Sequence, residues 1–243
     1  MYKRHIWTDE QIKIFWNYES RFPENYWSRN FGKDLIKKYS RYLKDAKIIL
    51  DLGCGDGGLI ESILQVAKNN FKNSAIYGVD TSDTSIKKIN KTFTNHPLFS
   101  KAVLASNEIE MKKIYNKVDF IFCCEVIEHL YDKNLSKLLK SAKDLISDKG
   151  LILFTTPNNE DLTKGLICNP IDGSLFHRWQ HVRTWNRDNL TKKLNQFGFK
   201  VIDINETNTW WWAKFPKNLL NRWRYRDKGS LFILATKQNN IGY

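Results

Sequence analysis

The sequence predicts an α/β fold, doubly wound, with a mostly parallel sheet and helices on both faces. Three observations predict it. Residues 46 to 50 form a short apolar run that breaks at Asp51 into a glycine-rich turn. An amphipathic helix pattern follows, and then a second apolar run ending at Asp80. Val118 to Cys124 and Leu151 to Thr156 are almost continuously apolar, as strands buried on both faces must be. Late in the chain, Gly198-Phe199 introduces another strand pattern and Leu231 to Lys237 a last one.

Each segment has its own signal. Thr8-Asp9-Glu10 reads as a helix start. Ile12, Phe15 and Trp16, and then Tyr26, Trp27, Phe31 and Leu35, give apolar faces at helical spacing. Residues 1–45 are therefore expected to form helices packed on the sheet edge or a lid over its cleft, with Tyr26-Trp27 at the tip. No linker or repeat divides the 243 residues, so one domain is expected over 1–243. Two stretches exceed simple connections, 157–185 and 207–228, and both are expected on the substrate side.

Bulk properties narrow the class. No apolar run approaches the ~20 residues of a membrane span, and Met1-Tyr2-Lys3-Arg4-His5 leads into mixed polar sequence rather than a signal core. Four cysteines, at 54, 123, 124 and 168, lack metal-ligand spacing, and a reducing, cytoplasmic setting is expected. A formal charge of +13 favours anionic partners: nucleic acid, acidic membrane surface or phosphorylated metabolites. The competing reading is a set of solvated lysines spread over the helices.

The strand, tight turn, helix and second strand ending in an acid make a nucleoside site. Gly53, Gly55 and Gly58 match G-x-G-x-x-G, which alone is a weak signal. The acids discriminate. Asp51 and Asp56 would oppose the pyrophosphate of a dinucleotide, but they are compatible with a donor that carries a sulfonium, an ammonium and a ribose diol. The run Leu50-Asp51-Leu52-Gly53-Cys54-Gly55-Asp56-Gly57 resembles the first motif of the class I S-adenosylmethionine-dependent methyltransferases. The resemblance spans about residues 46 to 237 and implies the Rossmann-like, seven-stranded sheet of that family. It also implies S-adenosylmethionine as cofactor, contacted by Asp51, Gly53, Cys54, Gly55, Asp80, Thr81, Ser106 and Glu125. Asp80 would take the ribose hydroxyls; otherwise it would cap the next helix, a task that Ser82 or Asp83 can also perform.

After the 118–124 strand comes Glu125-Val126-Ile127-Glu128-His129-Leu130, whose Glu125, Glu128 and His129 would share one face of a helical turn. Together with the later His181 and Trp185, this segment is similar to metal-dependent small-RNA 2′-O-methyltransferases, which would make Glu125, Glu128, His129 and His181 ligands of a divalent metal. The same Glu-Val-Ile-Glu-His-Leu run also resembles small-molecule methyltransferases that use no metal, and the alternative is a hydrogen-bonded floor. If the acceptor is an alcohol its proton must leave, and His129, His177 and His181 are the candidate bases. Tyr26, Asn158, Trp179, Arg183, Trp211 and Arg222 are the expected substrate contacts, since aromatics interleaved with arginine can stack a ring and pair its phosphate.

The expected function is methylation of a hydroxyl on a small molecule, a sugar or nucleotide-linked sugar of surface polysaccharide. The alternatives are an RNA 2′-O-methyltransferase, a non-catalytic S-adenosylmethionine-binding partner protein and a dinucleotide oxidoreductase. The expected partners are a phosphorylated or nucleotide-linked substrate and, less favoured, RNA.

Overall fold

In a computed structural model, which describes residues 2–71, 73–207 and 229–238, seven strands form one sheet. Their order is β3 (Phe99–Leu104), β2 (Ala75–Asp80), β1 (Ile48–Leu52), β4 (Val118–Cys124), β5 (Ile146–Pro157), β9 (Ser230–Lys237) and β8 (Phe199–Thr207). The first five are parallel, while β9 runs antiparallel to both β5 and β8. A second, two-stranded sheet pairs β6 (Leu166–Cys168) with β7 (Leu175–His177).

Alternation along the strands explains why both faces need helices. Ile49, Phe120, Phe122, Phe232 and Leu234 point to one face, which α2 (Trp27–Leu43), α3 (Gly58–Asn70) and α4 (Asp83–Phe93) cover. Leu50, Ile121, Cys123, Ile233 and Ala235 point to the other, under α5 (Glu108–Lys112), α6 (Asp132–Leu145) and α7 (Arg187–Gln196). Burial on both sides is what the apolar runs implied. Truncating a side chain such as Phe120, which is fully buried, removes about 3–5 kcal/mol.

The chain leaves β1 toward β2 and β3 on one side, then crosses to β4 on the other. The order therefore reverses between β1 and β4, and a crevice opens beyond their carboxyl ends. Gly53 and Glu125 flank it. The N-terminal segment runs over the same end of the sheet. Its helix α1 (Asp9–Glu19) begins at Thr8 with a reciprocal cap: the Thr8 hydroxyl accepts from the Gln11 N–H at 3.2 Å, and the Gln11 side chain accepts from the Thr8 N–H at 2.9 Å.

Candidate active site

The glycine turn is built for close approach. Gly53 and Gly55 have φ of +89° and +49°, where a side chain is strained. A Cβ on Gly53 would lie 2.4 Å from Val126 Cγ2, and one on Gly55 would lie 2.7 Å from the Tyr26 ring. The N–H groups of Gly53 and Cys54 donate to the Val79 carbonyl at 2.7 and 3.0 Å, which holds the turn against β2.

The three aspartates divide their work. Asp80 accepts from the Gly55 N–H at 2.9 Å through one oxygen and from the Ser82 N–H at 2.8 Å through the other. Burial raises its pKa, while the N–H groups of Ser82, Gly55 and Thr81 oppose that rise. Ser82, not Asp80, caps α4, its hydroxyl accepting from the Ser85 N–H at 3.2 Å. Asp80 is thus left facing the turn. Asp56 is a structural acid: it accepts from the Gly58 N–H at 3.0 Å and pairs with Arg29 Nε at 2.6 Å. Asp51 is almost fully buried with one oxygen unpartnered, and burial, then Asp80 and Asp56, push its pKa well up. Thr81 and Ser106 are exposed in the turns that follow β2 and β3.

Glu125 to Leu130 is not the expected helical turn. Glu125 adopts a left-handed φ of +53°, its N–H continues the ladder to the Thr155 carbonyl at 2.9 Å, and α6 starts only at Asp132. Spacings of three and four fit a compact turn as well as a helix, and here the turn is stitched to β5. Thr155 Oγ1 donates to Glu125 Oε1 at 2.8 Å, and Thr156 Oγ1 donates to Glu128 Oε2 at 3.0 Å. Both threonines are fully buried, directly after the apolar run Leu151–Phe154 of β5. Burial pushes the Glu125 carboxyl up to about 7, with the Thr155 hydrogen bond opposing and the Glu160 charge adding to it. Glu128 is also pushed well up, first through burial and then through Glu125, and its Oε1, 3.7 Å from His129 Nε2, has no hydrogen-bond partner.

Three histidines meet over this floor. His129 packs between Trp16 and His181, with ring centroids 4.8 Å apart in each case. Burial and then His181 hold its pKa well below the usual range, so it is neutral. His177 stacks on His181 at 4.6 Å, and burial also lowers its pKa. His177 Nδ1 accepts from the N–H groups of Trp179 and His181, both at 3.3 Å, so its proton sits on Nε2, 3.7 Å from Glu160 Oε1. In that arrangement Nδ1 is occupied by backbone N–H groups and Nε2 faces Glu160. His181 is oriented differently: its Nδ1 lies 2.5 Å from Glu160 Oε2, which places a proton between them and leaves Nε2 as the accepting nitrogen. Gln180, only 1% exposed, locks the group to the N-terminal helix. It accepts from Trp16 Nε1 at 3.1 Å and donates to the His129 carbonyl at 2.8 Å.

Of the four residues expected to hold a metal, Glu128, His129 and His181 bring donor atoms within 4.8 Å of one another. Glu125 stands outside that set. Among the described residues a second set joins Glu160, His177 and His181. Of the expected substrate contacts, Tyr26 covers Gly55. Trp179 is exposed, with Arg178 over its ring. Asn158 bridges to Trp185. Arg183 is occupied by Asp132 at 2.9 Å. Trp211 and Arg222 lie outside the described residues. Sequence reasoning missed Glu160, Gln180, Trp16 and the two threonines; only Thr155-Thr156, two hydroxyls ending an apolar run, left a signal.

A family model described as a methyltransferase domain matches residues 24–204. The chain belongs to that family. This methyltransferase domain is of the class I, S-adenosylmethionine-dependent type, with S-adenosylmethionine as its cofactor. It is similar to N-methyltransferase 4 of Papaver somniferum, 30% identical over 112 residues, 46% of this chain and 30% of that protein. It is also similar to the small RNA 2′-O-methyltransferase of Arabidopsis thaliana, 25% identical over 152 residues, 58% of this chain and 16% of that protein. This methyltransferase domain thus spans less than a third of the length of those curated relatives. A solved S-adenosylmethionine-dependent methyltransferase from Archaeoglobus fulgidus has the same fold, with a TM-score of 0.60 at 20% identity, covering 92% of this chain and 99% of that one. Among the described residues, no helix is long and apolar enough to cross a membrane.

Proposed function

We propose that the chain transfers the methyl group of S-adenosylmethionine to a hydroxyl of a small molecule, a sugar or nucleotide-linked sugar. The observation that carries this reading is the Glu160–His181 pair at 2.5 Å, with the His181 ring 4.8 Å from that of His129 in the turn after β4. A hydroxyl is a weak nucleophile until its proton leaves, whereas a neutral amine already presents a lone pair. In the proposed step the acceptor oxygen bonds to the methyl carbon as the carbon–sulfur bond breaks. The sulfonium becomes a neutral thioether, and the hydroxyl proton passes to His181 Nε2. Glu160 then stabilises the imidazolium. Asp80 takes the donor's ribose hydroxyls, and Tyr26 closes over Gly55.

His181→Ala tests this. General-base loss costs about 10²–10⁴-fold in rate, and S-adenosylhomocysteine affinity should hold. Transfer at an unchanged rate would overturn the reading.

A second reading, metal-dependent methylation of an RNA 2′-hydroxyl, is favoured by the Glu128, His129 and His181 donor set. Glu128 Oε1, without a hydrogen-bond partner and 3.7 Å from His129 Nε2, fits a cation there, which would polarise the acceptor oxygen. Metal analysis of the purified protein separates the two readings. Bound metal and chelator-sensitive activity support the second; metal-free activity removes it.

A further inference from the structure

The N-terminal residues pair with β7. Residues 3–5 run alongside β7: the His5 N–H donates to the Leu175 carbonyl at 2.7 Å, and the Leu175 N–H donates to the Lys3 carbonyl at 2.8 Å. Arg4 forms the parallel bridge with Leu175. The chain then places the Trp7 ring 5.5 Å from that of Phe176, and the Trp7 N–H donates to the Tyr131 hydroxyl at 3.1 Å. A cavity of about 220 Å³ lies between these elements, and Trp7, Tyr131, Phe176, His177, His181 and Arg4 are among the residues that line it.

Three properties define what fits. At ~30 Å³ per water the cavity equals about seven waters, and it falls below the ~300–1,000 Å³ of pockets that enclose drug-sized ligands. It therefore encloses one ring, and any nucleotide joined to that ring would lie outside it. Three aromatic side chains in its lining, Trp7, Tyr131 and Phe176, can pack on that ring. Among the described residues, no carboxylate pairs with Arg4; its guanidinium makes only a long, 3.4 Å contact to the His181 carbonyl. The fork is thus available to a phosphate or carboxylate, which guanidinium binds through two parallel hydrogen bonds. His181 is common to this cavity and to the cluster at the strand ends, so a ring seated here brings a substituent to the base.

We propose that this cavity is the acceptor subsite and that its ligand is a single-ring hydroxy compound bearing a phosphate or carboxylate. The ring sits against Trp7, Tyr131 and Phe176, the anion pairs with Arg4, and the hydroxyl meets His181. The assignment of the hydroxyl as methyl acceptor rests on the function proposed above; the subsite itself does not.

The test is NMR on the full chain saturated with S-adenosylhomocysteine, following the Trp7 indole N–H signal, assigned with Trp7→Phe. The probes are glucose 1-phosphate, glucuronate and phenyl phosphate, with glucose and phenol as neutral counterparts and inorganic phosphate alone as the ring-free control. At least one anionic ring should shift the Trp7 signal and bind ten-fold or more tightly than its neutral counterpart. A preference for phosphate over carboxylate among the anionic rings identifies the anion. Arg4→Ala should erase the preference while S-adenosylhomocysteine affinity stays within two-fold. No shift with any anionic ring, equal binding of charged and neutral rings, or a preference that survives Arg4→Ala would each overturn the subsite. Failure of the donor reading would appear separately, as no S-adenosylhomocysteine binding by either protein, and would remove the methyl-acceptor role.

Discussion

Glu125→Gln should change how the stability of this protein depends on pH. Burial holds the Glu125 carboxyl at about 7 in the folded chain against an ordinary value of 4.5. Between those values the folded chain keeps the proton and the unfolded chain has lost it. Stability therefore falls as pH rises through that window, and the full penalty is present above pH 7. The gap of 7 − 4.5 = 2.5 pH units, at ~1.36 kcal/mol each, corresponds to about 3 kcal/mol. The amide cannot ionise, keeps an oxygen to accept from the Thr155 hydroxyl and escapes the penalty. For a chain of this length each kcal/mol moves the melting temperature by about 2–4 °C. An ordinary carboxyl is already mostly ionised at pH 5, so about 2.5 kcal/mol of the penalty separates pH 5 from pH 8. Melting curves followed by circular dichroism should show the variant's Tm gaining about 5–10 °C on that of the native protein between the two. A constant offset at both pH values would refute the reasoning.

The donor turn and the N-terminal helix give further tests. Gly55→Ala puts a methyl 2.7 Å from the Tyr26 ring at a φ of +49°. It should cost about 1–2 kcal/mol of stability in thermal melts and weaken S-adenosylhomocysteine binding ten-fold or more in calorimetry; unchanged affinity would separate Tyr26 from the donor site. Trp16→Phe removes the donor to the buried Gln180 side chain and should destabilise the protein by about 1–3 kcal/mol in denaturant titration. No loss there would show that α1 is not tied to the floor through Gln180.

Much of the sheet was legible because burial on both faces leaves long apolar runs, and the glycine turn because close approach excludes side chains. The acids in that turn were legible as a pair but not in their roles. Only the structure shows Asp56 committed to Arg29 and to the start of α3 while Asp80 faces Gly55. The turn at Glu125 was misread because residues three and four apart come together in a compact turn as readily as in a helix. Glu160 left no trace, since a single acid in a polar loop acquires its partner only when β5 and the histidine segment converge. The pairing of residues 3–5 with β7 was equally hidden: β7 is three residues long, too short to show alternation.

Asp80 is the proposed anchor of the donor's ribose. Calorimetric titration of S-adenosylhomocysteine into the native protein and into Asp80→Asn tests it most directly. Losing charge-assisted hydrogen bonds of ~1.5–3 kcal/mol each should weaken binding at least ten-fold while NAD gives no heat with either protein. Equal affinity for S-adenosylhomocysteine in the two proteins, or binding of NAD in its place, would contradict it.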